Sequence, residues 1–176
     1  MPKARKMLGN WRDPHTQSIM RLVETQSKTT ITNWCIDYTE AHILPIYNKT
    51  FPEDNRPLRA IEAARRWLAK EIKLPEAKRI ILDECHQAAR ESDEHPAAQA
   101  AARCCGQAAS TIHAPTHSLG IVFYGCAAIA YDRVGISQKP EAYEQIVIEE
   151  CAKMEAALRA IAVENEPNPA KINWNC

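Results

Sequence analysis

Glycine and phenylalanine are scarce in this sequence, at 5 and 2 of 176 residues, whereas alanine is abundant. That balance argues against a sheet-rich fold and for helices. No Asn-Gly or Asp-Gly hairpin turn occurs, and no apolar/polar alternation is sustained, so no strand is expected. Net charge is zero, without the basic excess that phosphate contacts demand of a dedicated nucleic-acid binder. The most apolar run, "LGIVFYGCAAIAY" at 119–131, is too short to span a bilayer. The basic start "MPKARKMLGNWRDP" lacks the apolar core of a signal peptide. Also absent are a glycine-rich phosphate loop, GxSxG, HExxH, a catalytic Cys–His signature and a zinc knuckle.

What is present is cysteine without redox spacing. There are seven, an odd number, and none forms CxxC. Cys35, Cys85, Cys104, Cys126 and Cys151 fall among apolar neighbours in helical stretches, which reads as reduced, buried thiols in a cytosolic protein. The adjacent Cys104 and Cys105 point to different helix faces and are no redox pair. Cys176 is the expected exposed thiol. Charge is uneven: residues 1–28 hold six Lys/Arg against two acids, and 141–176 hold seven Glu against three basic residues. These two segments are candidates to pair with each other.

Proline marks the helix starts. Pro14, Pro57, Pro75, Pro96, Pro115 and Pro140 each precede a helical pattern, where a missing N–H costs nothing. Asp13, Asp54 and Asn55 offer capping oxygens. The periodicity predicts helices over 14–26, 30–47, 56–71, 75–92, 96–113, 115–133 and 140–163, with Pro45 kinking or ending the second. In the second, Ile31, Trp34, Cys35, Tyr38 and His42 share a stripe. In the third, Leu58, Ile61, Leu68 and Ile72 face inward. In the last, Val147, Cys151, Met154, Leu158 and Ile161 make the seam. The fold is all-α, a single compact domain built as an array of about seven antiparallel helices. Residues 1–28 form an N-terminal segment with the first helix, 29–164 the main helical domain, and 165–176 an irregular tail in which Trp174 either docks or frays.

Three constellations could carry function. In "DNRPLRAIEAARRWLAK" at 54–70, Arg56, Arg59, Arg65 and Arg66 crowd around Glu62. The helix phase predicts Arg56 and Arg59 partly buried on Asp54 or Asp37, and Arg66 exposed beside Glu62 as an i,i+4 pair. These arginines are therefore clamps first and a face for an acidic partner second. In "STIHAPTHSLG" at 110–120, His113 and His117 are four apart with Pro115 between them, and His86 can approach from another helix. Three such rings could hold a metal. The preferred reading has the three rings near one another at the seam of the fourth, fifth and sixth helices, satisfied by hydrogen bonds rather than a metal, with Pro115 turning His117 away from the axis that carries His113. In "NWCIDYTEAH" at 33–42, Asp37 faces Arg56 or Arg59; Asp37 and Glu40 as an acid/base pair lack a nucleophile.

"WCIDYTEAHILPIY", then "PEDNRPLRAIEAARRWLAKEI", then the segment from "ILDECHQAAR" to "IHAPTHSLGIVFYG" together resemble the immunity-five-like family of bacterial polymorphic-toxin systems. The resemblance covers roughly 30–133 and rests on Trp34, Asp37, Asp54, Arg56, Pro57, Arg59, Glu62, Arg65, His86, Arg90, His113 and His117. It implies an all-helical, cytoplasmic protein that binds and neutralises a protein toxin without catalysis. It assigns no role to individual residues. The candidate binding set is Asp37, Asp54, Arg56, Arg59, Glu62, Arg65, Arg90, His86, His113 and His117. No cofactor, nucleic acid or membrane is expected as a partner, and self-association is left open. The competing readings are a metal-dependent helical enzyme or small-ligand protein using His86, His113 and His117, and a structural adaptor.

Overall fold

Proline begins almost every helix. The structure, a computed structural model, describes residues 3–175. Its helices are α1 (Pro14–Val23), α2 (Lys28–His42), α3 (Leu44–Thr50), α4 (Arg56–Leu68), α5 (Leu74–Arg79), α6 (His86–Glu91), α7 (Pro96–Ser110), α8 (Leu119–Val134) and α9 (Pro140–Ile161). A π-helical segment (Ile80–Cys85) joins α5 to α6 without a break, and a 3₁₀ turn (Pro115–Ser118) leads into α8. Counting α2–α3 and 74–91 as one stretch each gives the seven helices expected, with no strand among the described residues. All six marked prolines occupy the first turn of a helical segment, and so does Pro45, which starts α3 after the break at Ile43.

Capping explains where predicted and observed ends differ. Ser27 accepts from Thr30 N–H at 3.2 Å, so α2 begins at Lys28 rather than residue 30, and α1 stops at Val23. Asp54 caps α4 by accepting from Arg56 N–H at 3.0 Å. Asp13 does not cap α1; its carboxylate accepts from Asn10 N–H at 3.1 Å, and Asn55 makes no side-chain cap either. The helix expected over 75–92 is π-wound at its centre, where His86 N–H reaches five residues back to Ile81 O. This wider turn keeps Ile80, Ile81 and Cys85 buried while aiming His86 at α7.

α7 is the centre of the molecule, packed by α2, α3, α4, α6 and α8. Its buried residues are alanine, cysteine, glycine and serine, so neighbouring backbones come close on every side. A Cβ on Gly120 would lie 2.3 Å from Gln107 Cβ, which shows how tightly the start of α8 meets α7. All six cysteines that the structure describes are free and buried, as expected. Burial lifts the Cys104 thiol to about 12. Cys176 lies outside the described residues.

α9 packs on α1 and α8 through Val147, Cys151, Met154 and Leu158, while Ile161, expected in this seam, is exposed at its end. Buried Trp34 of α2 donates its indole N–H to Met154 O at 2.9 Å. His42, placed in the same stripe as Trp34, is exposed and lies against Tyr38 with ring centroids 4.5 Å apart. The uneven end charges do not pair: among the described residues no ion pair joins 1–28 to 141–176. Ser18 Oγ donates to Glu155 Oε1 at 2.7 Å instead. The tail docks, with Trp174 Nε1–H on Glu24 Oε1 at 2.7 Å and Ala170 N–H on Gln26 O at 2.8 Å.

Candidate binding surface

The four arginines of α4 reach six carboxylates. Arg56 grips Asp54 (Nη2–Oδ2 2.7 Å) and Glu91 of α6 (Nη2–Oε2 2.7 Å), and Tyr47 O–H donates to Asp54 at 2.7 Å. The Arg56 hydrogen bond, helped by Tyr47 and opposed by burial, holds the Asp54 carboxyl down at about 2. Arg59 pairs with Glu84 of the π segment at 3.1 Å, not with Asp54 or Asp37, and is exposed rather than partly buried. Arg56 is partly buried on Asp54, as expected, and Arg65 is half-buried too; it bonds Asp37 of α2 at 2.8 Å and also Glu40.

The difference is one of helix phase. α4 buries Pro57, Ala60, Ile61, Ala63 and Ala64, so its inward face is mostly alanine, with Leu58 and Leu68 only half-buried at the edges. That rotation puts Arg65 towards α2 and leaves Arg59 towards the antiparallel stretch 74–91. Arg66 is exposed as expected, but its carboxylate is Glu71 at 3.5 Å, not Glu62. The chain folds back after α4 through Lys70 at φ 62°, and Glu71 N–H bonds Arg66 O at 2.9 Å, which delivers the acid. Glu62 is exposed and makes no ion pair among the described residues.

The three histidines do gather. His113 and His117 have ring centroids 5.1 Å apart despite Pro115. The 3₁₀ turn folds back over the end of α7, where His117 Nδ1–H donates to Gln107 Oε1 at 2.8 Å; this holds the ring beside His113 instead of turning it away. His86 stacks over α7 at Gly106, where any Cβ would sit 3.0 Å from its Nε2. Hydrogen bonding does not satisfy it, because His86 Nε2 is buried without a partner. Burial lowers the pKa of all three, with Arg90 adding to the effect at His86 and the other two rings adding to it at His117. Arg90 itself is exposed and donates to Gln87 Oε1 at 2.7 and 2.9 Å. Among the described residues no group of three His, Cys, Asp or Glu side chains is arranged to hold a metal ion.

Four charged side chains escaped the sequence reading. Glu84 and Glu91 lie seven apart on the face of 74–91 that meets α4, a spacing that was visible. Glu150 is only 2% exposed, and its Oε1 takes Arg133 and Lys153 at 2.8 Å each. Arg103, the only charge in "PAAQAAARCCGQAAS", is half-buried and has no hydrogen-bond or ion-pair partner among the described residues.

A family model described as "Imm-5 like putative immunity protein" matches residues 21–157, and the chain belongs to that family. The match takes in the last turn of α1 and most of α9, beyond the 30–133 that the motifs marked. No curated protein and no solved structure matches the chain.

The clamp has a measurable weight. Arg56→Ala strips Asp54 and Glu91 of a shared cation and is expected to destabilise by about 1–2 kcal/mol, the partly solvated site keeping it below a fully buried pair. A urea midpoint equal to that of the wild type would contradict the clamp.

The histidines give a pH signature. Their folded pKa values lie below the ordinary 6.5, so the stability they allow is present above that value and lost as pH falls through the depressed ones. The urea midpoint should drop between about pH 7 and about pH 5, and His86→Gln should flatten that slope. A slope unaltered by His86→Gln would refute this origin.

Proposed function

We propose that this member of the Imm-5 like family is a non-enzymatic, cytoplasmic protein that neutralises a cognate protein toxin by binding and covering it. The observation that carries the reading is the family match over residues 21–157. Physical features support it. The rigid α7-centred array offers a pre-formed surface, so binding costs little reordering. Trp11 is 51% exposed with the Arg12 guanidinium 4.9 Å from its ring centroid, and tryptophan and arginine are frequent anchors of protein interfaces. Asp37, Glu62 and Arg90, all exposed, would steer association rather than supply most of its strength.

The test begins with capture from the native cell on the full tagged chain, with mass spectrometry of what is bound. The captured protein should arrest growth when expressed alone, and co-expression of this chain should restore it. In vitro, inhibition should be complete at about one equivalent and independent of incubation time. Inactivation that proceeds with time at sub-stoichiometric amounts, or that needs an added metal ion, would instead favour an enzyme working at His86, His113 and His117.

A further inference from the structure

The cations of this protein divide into two kinds. Those of α4 are each held by carboxylates on neighbouring segments. A second group is not. The N-terminal arm crosses α8, pinned by Leu8 N–H on Phe123 O at 3.2 Å and by Tyr131 O–H on Arg5 O at 2.8 Å. The arm and the first half of α7 enclose a groove of about 410 Å³ lined by Lys3, Arg5, Lys6 and Arg103, with Tyr131 and Ile136 among its apolar walls. None of these four cations has a hydrogen-bond or ion-pair partner through its side chain among the described residues, and Asp93 is the one acid on the lining. A second cleft of about 430 Å³ shares Lys3, Arg5, Tyr131 and Ile136 and continues towards Tyr143 and Val147.

We propose that this groove receives an acidic segment of the protein partner, with Arg103 as the carboxylate-binding anchor and Lys3, Arg5 and Lys6 as the surrounding positive field. The proposal rests on the toxin-binding reading and names the chemistry of its contact. Arg103 is the decisive residue. A half-buried guanidinium loses hydration and here regains nothing from the protein, so it is poised to gain from an incoming carboxylate, bidentately. Its position on α7, a helix packed by five others, means no backbone needs ordering on binding. The apolar walls beside the cations suit a segment in which acids alternate with leucine or tyrosine. A nucleic acid fits less well. It would need a longer basic track, and the charge of the whole chain sums to zero.

The test uses the full chain and three fluorescein-labelled probes: a short peptide alternating Asp with Leu and Tyr, the same peptide with Asn for Asp, and single-stranded DNA of equal charge. Anisotropy should show the acidic peptide binding, the Asn peptide not, and the DNA more weakly than the acidic peptide. Arg103→Gln should weaken the acidic peptide about tenfold or more, and Lys6→Gln about two- to threefold with a shallower salt dependence. Lys171→Gln, exposed in the tail, should leave it unchanged. Because Arg103 has no internal partner to lose, Arg103→Gln should melt at or above the wild-type temperature. A lowered melting temperature, equal peptide binding by Arg103→Gln, or preference for DNA would each overturn the proposal. A toxin captured as above but held equally by wild type and Arg103→Gln would overturn the groove and leave the toxin reading standing. Peptide binding that depends on Arg103, with no toxin captured, would support the groove and defeat the toxin reading.

Discussion

The rest of the structure depends on the close approach that small side chains on α7 allow. Ala98, Ala101, Ala102, Cys104, Cys105 and Ala108 are fully or almost fully buried, and five helices lie against this one rod. Close packing of small side chains gains dispersion energy over many short contacts but tolerates no added volume. Bulk is therefore placed on the surrounding elements, in the buried side chains of Trp34, Tyr47, Ile81 and Met154. The same constraint explains the alanine face of α4 and, through it, where every arginine of that helix points.

Charge follows from that geometry. When helices meet on alanine, their long polar side chains are brought together along the seams. The α4 arginines accordingly bridge to α2, to the π segment and to α6. Such half-exposed pairs each add little, and they tie α4 to its neighbours along the rims of its alanine face. The lone charge in α7 breaks this pattern. Among the described residues Arg103 has no seam partner, and it opens beneath an arm that carries three more cations without one. A chain without net charge can thus present one concentrated positive site.

Much of the fold was legible because its signals are local. Proline at a first turn and spacing of three and four residues located the seven helical stretches, and the cysteines read as core because their neighbours are apolar. Pairings were less legible because they depend on phase and on distant segments. Reading Leu58 and Leu68 as the inward face of α4 rotated the helix and assigned Arg59 the burial that belongs to Arg65. The acids that answer Arg56 and Arg59, Glu91 and Glu84, lie across a tertiary contact and behind a π-wound segment that hydrophobic spacing does not reveal. Pro115 was read as a divider of the histidines, but Gln107, ten residues earlier, draws His117 back. Among the candidate binding residues, Arg56, Arg59 and Arg65 are joined to other helices, while Glu62 stands free on the surface and Arg90 bonds only within its own helix.

The central claim is a division of labour: the α4 arginines hold the fold together, and the arm with α7 meets the partner. Hydrogen–deuterium exchange on the full chain, alone and bound to its captured partner, tests it most directly. The account predicts new protection in residues 3–8 and 96–103, with exchange across 56–68 unchanged. New protection confined to 56–68, with the arm and the start of α7 exchanging as in the free protein, would contradict it.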